Sequence, residues 1–340
     1  MKKLLCLILS IVMVFSLACL VGCSDKEDTK TETAETLKFG MGISAKLESV
    51  KSADGDTNGN AKAAITAAAV LLDKDGKIIK CTIDVMENNL SFTSEGKFIE
   101  IGEYRTKYEQ GKDYGMVAYA NAAKEWFEQV DAFCALVEGK KIDEVKALVA
   151  SDFKGTEDVV NAGCTIYVSD FVYAIENAVK NVADSKSTND CTIKLGIVST
   201  QSGCKDATDE AEGANEVDTT IVATAVDKDG KIVAASTDAL AAKVTFDTKG
   251  VSATEAAAIT TKKDAGTAYG MSAYGNDLNG DGKVLEWFEQ ADAFNAACIG
   301  KTSNDIASLS NDNGYGSDDL QKAGCTVHIG DMVKALSKTL

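Results

Sequence analysis

Three oxygen-bearing side chains at alternate positions, Asp277, Asn279 and Asp281, are followed directly by Gly282. They fill the first, third, fifth and sixth places of an EF-hand-type loop, whose oxygen ligands suit a hard cation such as Ca2+. The twelfth place, normally a bidentate glutamate, is Phe288, with Glu286 and Glu289 on either side and out of register. A solvated Asp/Gly turn that extends the entry to a helix is the other reading of this stretch. Arg105 is the sole arginine and His328 the sole histidine, so a histidine-based triad, an arginine clamp and a multi-histidine metal site all lack their parts. No nucleophile–base pair and no phosphate-cradling glycine loop stands out, and paired acids carry little information in so acidic a chain.

A further reactive group is the thiol of Cys23. Residues 1 to 22 open with Lys2-Lys3, continue through an apolar run from Leu4 to Leu20 and end Leu20-Val21-Gly22-Cys23. This has the form of a signal peptide, and its last four residues resemble the bacterial lipobox, in which the cysteine is acylated. The expectation is a chain held on the extracytoplasmic face of the cell membrane, its partner there the lipid bilayer through acylated Cys23. Residues 23 to 36 carry Ser, Asp, Lys, Glu and Thr with no large apolar group, the composition of a flexible tether. A formal charge of -17 disfavours nucleic acid as a partner through repulsion.

These candidate groups must be positioned by a fold, and the chain repeats itself. Tyr114-Gly-Met and the run Glu125 to Phe133 recur as Tyr269-Gly-Met and Glu286 to Phe294, with the two tryptophans, Trp126 and Trp287, at the same place in each copy. Trp126, Val130, Phe133, Cys134 and Val137 recur at helical spacing, so that helix buries one face, and its aromatics belong to a core. Ahead of each helix come strand signals. Asp73-Lys-Asp-Gly-Lys and Asp227-Lys-Asp-Gly-Lys mark hairpin turns whose glycine supplies the positive φ. Cys81, Ile83 and Val85 then alternate with polar residues as in a half-buried strand. Behind each helix, Ser169-Asp170 is expected to cap a closing helix over Phe171, Val172, Ile175 and Val179.

Strands first and helices after predict an α+β fold of two tandem repeats, residues 37–185 and 190–340, each an antiparallel sheet followed by packed helices. Each copy carries its own complete set of elements, so each is expected to fold on its own. Outside the leader and Cys23 the chain has seven cysteines, an odd number. Cys191 and Cys204 are the pair read as bridging the ends of a strand pair. The remainder read as small core residues.

Each copy also contains Ala-Gly-Cys-Thr, at 162–165 and 323–326. With the Asp-Gly-Lys-Ile hairpin before it and a helix after it, this element resembles the bacterial FMN-binding domain family, which includes exported electron-transfer lipoproteins. That family's motif is Ser-Gly-Ala-Thr, its threonine carrying FMN through a phosphoester bond. The resemblance implies Gly163, Thr165, Gly324 and Thr326 as cofactor-binding residues. Here Ala and Cys stand where the family has Ser and Ala, and Tyr167 and His328 stand where it has Ser or Thr. A turn feeding a strand is the alternative reading, and noncovalent FMN stacked on Tyr114, Trp126 or Tyr167 is a third.

Two functions follow as expectations. One is a noncatalytic surface lipoprotein that binds a small ligand or a surface protein. The other is a flavin-carrying lipoprotein of extracellular electron transfer, in which the cofactor does the redox chemistry.

Overall fold

The computed structural model describes residues 36–273 and 284–340. The signal segment, Cys23, the tether as far as residue 35 and the loop with Asp277, Asn279 and Asp281 lie outside the described residues. Among the described residues no helix is long and apolar enough to cross a membrane.

The first repeat begins with the antiparallel meander β1 (Lys38–Lys51), β2 (Gly59–Leu72) and β3 (Ile78–Phe92). Its helices follow: α1 (Lys107–Gln110), α2 (Met116–Ala120), α3 (Trp126–Val137), α4 (Ile142–Lys146), α5 (Glu157–Ala162) and α6 (Ser169–Lys180). The short β4 (Ala183–Asp184) returns to pair with β1. The second repeat gives β5 (Thr192–Gln201), β6 (Gly213–Val226) and β7 (Ile232–Phe246) in the same meander, then β8 (Ala257–Ala258). Helices α7 (Lys262–Ala265), α8 (Trp287–Cys298), α9 (Asp318–Lys322) and α10 (Gly330–Ser337) complete it. The fold is α+β, with two tandem units in which an antiparallel sheet precedes its helices.

Local chemistry explains these elements. Asp73 Oδ1 accepts the N–H groups of Asp75 and Lys77, and Gly76 takes φ 76°. Asp227 and Gly230 repeat this geometry, as the turn sequence predicts. The signature helices start on a glutamate capping box, Glu125 with Glu128 and Glu286 with Glu289. For α6 the cap differs from expectation. Val168 occupies the cap position without a side-chain bond, and Asp170 instead accepts from Lys46 Nζ at 2.6 Å. Phe171, Val172 and Ile175 are buried as the spacing predicts.

Strand β2 is apolar at nearly every position because both of its faces are covered. Ala68, Val70 and Leu72 point at α3 and α6, whereas Ile65, Ala67, Ala69 and Leu71 point at the second sheet. The molecule is therefore layered helix, sheet, sheet, helix, with Trp287, Phe294 and Leu336 closing the far side over β6 and β7. Residues Glu35–Leu340 form one compact unit. Its central core draws on both repeats: Phe39, Met41 and Ile65 meet Ile193, Ile197 and Ile221. The boundaries near 185 and 190 thus separate two copies of a pattern that share one core between their sheets.

Reciprocal bonds across this junction show its symmetry. The Ala53 N–H donates to Gly250 O at 2.8 Å, and the equivalent Ala207 N–H donates to Gly96 O at 2.7 Å. Such an exchange of identical contacts is the signature of a two-fold axis, here internal to one chain. Strand β8 adds a further tie by pairing with β1, Lys46 opposite Ala258.

Candidate ligand-binding cleft

The signature helix places two duplicated polar groups. Its capping glutamate reaches backwards: Glu125 Oε2 accepts the Met116 N–H at 3.0 Å, and Glu286 Oε2 accepts the Met271 N–H at 3.0 Å. One turn on, the buried Gln129 reaches the Ala-Gly-Cys-Thr element. Its Oε1 accepts both the N–H and the hydroxyl of Thr165, at 2.9 and 3.0 Å, while its Nε2 donates to Lys124 O. Gln290 does the same for Thr326, at 2.8 and 3.0 Å, with Leu285 O as its acceptor. Gly163 takes φ 102° as the cap that ends α5, and Gly324 takes φ 104° at the matching turn. A Cβ at either glycine would strike a neighbour, the Lys124 ammonium or Leu285. All four residues therefore share a helix-ending turn held by a glutamine, and Tyr167 and His328 just beyond each make an isolated strand bridge.

A cleft of about 280 Å3 lies beside this turn in the first repeat. Tyr114, Trp126, Tyr167 and Phe171 line it together with Glu48, Lys62, Glu87, Lys107 and Asp170. Thr165 is not among its lining residues, although Ile166 and Tyr167 are. The three aromatics proposed for stacking are thus brought together, but not equally. Trp126 is 3% exposed, with the edge of Phe171 at 6.2 Å and the Lys107 ammonium 5.7 Å from its ring centre. An isoalloxazine stacked on Trp126 does not fit that arrangement, and the volume lies just under the range of about 300–1,000 Å3 usual for ligand pockets. Tyr167 is 63% exposed, with the Lys154 ammonium 5.6 Å from its ring centre.

Charge in the cleft alternates along a chain of contacts. Asp170 meets Lys46 at 2.6 Å, Lys46 meets Glu48 at 3.6 Å, and Glu48 meets Lys62 at 3.4 Å. Glu87 then bridges Lys62 and Lys107, each at 2.9 Å. Lys107 ends the series with its side chain only 12% exposed and its ammonium 4.8 Å from the Tyr114 ring centre. Burial acts to raise the Glu87 carboxyl, but Lys107 and Lys62 outweigh it and hold it below its ordinary value. Burial acts to lower Lys46 and Lys62, and their carboxylate partners outweigh that too. The ion pairs therefore favour the charged forms of Lys46, Lys62 and Glu87.

The second repeat keeps the aromatic end of this arrangement and changes the rest. Lys262 lies 5.3 Å from the Tyr269 ring centre and 5.6 Å from that of Trp287. At the places of Lys46, Glu48, Lys62 and Glu87 it has Thr200, Ser202, Glu216 and Ala241. The charged series belongs to the first repeat.

A duplicated buried acid completes the inventory. Asp84 on β3 accepts the Tyr108 N–H at 3.2 Å and Asp238 on β7 accepts the Lys263 N–H at 3.0 Å, so each holds the start of a short helix. Burial pushes both carboxyls up to about 6, against the opposing bonds from Thr106 or Thr261 and from backbone N–H groups. Sequence reading missed Asp84, Lys107 and Gln129 with their counterparts. The available signal was their identity at matched positions in both copies.

The cysteine pairing expected for Cys191 and Cys204 is not formed. The ten residues of β5 separate them, a span of about 30 Å at strand rise. Cys191 lies against Thr188, and Cys204 against Ser202, Asn215 and Glu216. Among the described residues no group of three or more His, Cys, Asp or Glu is placed to hold a metal ion.

No protein-family model matches the chain, and no solved structure matches it. A stretch of 96 residues is 33% identical to a chlorophenol reductase of Desulfitobacterium hafniense. The likeness is local. It covers 24% of this chain and 29% of that protein, so the chain spans less than a third of its relative's length.

Proposed function

We propose that this chain is a membrane-anchored, extracytoplasmic lipoprotein that binds a small polar ligand, or a surface protein's polar segment, without catalysing its conversion. The observation that carries the reading is the cleft of the first repeat, which exposed Tyr167 lines together with ion-paired Lys and Glu side chains. A site of this kind offers stacking area together with donors and acceptors fixed by their own ion pairs. It contains no nucleophile with an adjacent base, which is why binding rather than turnover is proposed. The lipobox at Cys23 supplies the address.

Native mass spectrometry of protein taken from its own membranes tests both parts. A bound mass is expected that leaves on denaturation and is lost in Tyr167→Ala, and Cys23→Ser is expected to abolish lipid labelling and membrane retention. Protein with no bound mass, or with labelling kept in Cys23→Ser, defeats the corresponding half of the reading.

A second reading is flavin-dependent electron transfer, favoured by the 96-residue likeness to a protein named as a reductase. Under it FMN is held near the exposed Thr165 or the half-buried Thr326 and supplies the redox chemistry. Calcium at Asp277, Asn279 and Asp281 is compatible with either reading. Intact mass after denaturation separates them: one or two FMN groups retained, and lost singly in Thr165→Val and Thr326→Val, replaces the first reading with the second.

A further inference from the structure

Two thiols lie close together inside the first repeat. Cys81 on β3 and Cys134 on α3 are both buried free thiols in the same apolar cluster, where the strand packs on the helix, and Cys134 feels the Cys81 thiol beside it. Neither has a counterpart: the matching positions of the second repeat are Ala235 and Asn295, so the two sulfurs are present together in one copy and absent together in the other. The joint itself persists. Asn295 on α8 accepts a 2.7 Å bond from the Thr237 hydroxyl on β7, which stands where β3 has Ile83. At this one place on the signature helix each repeat ties helix to third strand by a different chemistry.

We propose that Cys81 and Cys134 form a disulfide that fastens α3 to β3. Its occurrence in the cell rests on the extracytoplasmic reading above, because thiols pair where the compartment is oxidising. The oxidant is a disulfide of the exchangeable class, protein or small molecule. One cysteine thiolate attacks a sulfur of that disulfide, forming a mixed disulfide and expelling one oxidant thiolate. The second cysteine, on losing its proton, attacks the first, forming the Sγ–Sγ bond and expelling the second oxidant thiolate. Two electrons pass from the cysteine pair to the oxidant, and the two protons end on its thiols.

Timing follows from burial. The Cys81 contact and the apolar surroundings hold Cys134 protonated in the folded chain, and a thiol is a poor nucleophile. Exchange therefore runs before α3 docks, and the finished bond is shielded from reduction afterwards. The closed loop spans 53 residues of sequence, for which the chain-entropy model gives about a thousandfold in the folding equilibrium. Cys298 and Cys325, buried and near enough for their charges to interact, are the competing pair in the second repeat.

The test uses two preparations of the full-length chain, both alkylated under denaturing conditions without reduction and then digested. In Cys23→Ser protein made in a reducing cytosol and refolded with oxidised and reduced glutathione, the Cys81 and Cys134 peptides are expected joined. The bridged form is expected to unfold with an equilibrium constant about a thousandfold smaller than the same chain after reduction. Recovery of both cysteines alkylated, or of Cys81 joined to any other cysteine, overturns the proposal. Protein exported by its own host forms the second arm. Joined peptides there uphold the pairing in the cell, whereas free thiols there beside a bridge in the refolded chain leave the pairing standing and count against the extracytoplasmic reading.

Discussion

Phe92 and Phe246 stack ring on ring, with centroids 4.4 Å apart and planes 7° from parallel. They occupy the same position in the two repeats, at the ends of β3 and β7, and both are fully buried. Equivalent residues touch each other only on a two-fold axis, so the stack marks where the axis of the duplication passes. Gly59 and Gly213 leave the room: a Cβ at either would meet the neighbouring phenylalanine ring at 2.1 or 2.4 Å.

The stack is expected to hold the halves together. Phe92→Ala should cost about 3–5 kcal/mol through lost burial and the cavity left behind. Because both rings line one cavity, Phe92→Ala with Phe246→Ala should cost less than the sum of the two. Urea unfolding of the single and double variants checks this. Fragments 37–185 and 190–340, each exposing a sheet face that is buried in the whole chain, are expected to self-associate or to bind each other, as sedimentation will show.

The buried acids should set part of the pH dependence. A carboxyl raised from 3.8 to about 6 on folding binds its proton more tightly in the native state. Its contribution is complete below about pH 4 and is lost as pH rises through about 6, by roughly 3 kcal/mol for each site at 1.36 kcal/mol per unit. Asp84→Asn and Asp238→Asn should therefore lose more stability relative to wild type at pH 4 than at pH 7. Urea titrations at the two values measure the difference. Glu87, Asp247 and Asp305 are held below their ordinary values and act in the opposite sense, lost as pH falls, so they limit stability at the acid end.

Gln129 and Gln290 are expected to be needed for the turn that follows them. Gln129→Leu leaves the Thr165 N–H and hydroxyl without their acceptor and should cost about 1–3 kcal/mol. Amide exchange at Thr165 should quicken in that variant while exchange along β2 stays slow. Equal acceleration at both places would mean that the glutamine supports the whole sheet.

Close helix–strand approach depends on two matched glycines. A Cβ at Gly42 would lie 2.0 Å from the Ala178 nitrogen, and one at Gly196 would lie 1.9 Å from the Ala335 oxygen. These are backbone atoms of α6 and α10, which cannot rotate away. Gly42→Ala and Gly196→Ala should each cost about 1–3 kcal/mol, or more, by displacing the closing helix. Thermal unfolding checks it.

Much of this was present in the chain as written. The duplication, the Asp-Lys-Asp-Gly-Lys turns and the strand-then-helix order are local patterns, set by φ preference and by the period at which apolar residues recur. The burial of Trp126 and Trp287 followed from helical spacing alone. The partners of the buried faces did not. An apolar run such as Ala64 to Leu72 states that both faces are covered, and nothing in it distinguishes a helix of its own repeat from the sheet of the other. Lys46, Lys62, Glu87, Lys107 and Asp170 come from three strands and two helices, and in a chain with 52 acidic residues no spacing singles them out. Their alternation, the Cys81–Cys134 contact and the shared core exist only once the strands are in register and the second sheet has closed over the first, because contacts between distant segments are fixed by packing and not by local propensity.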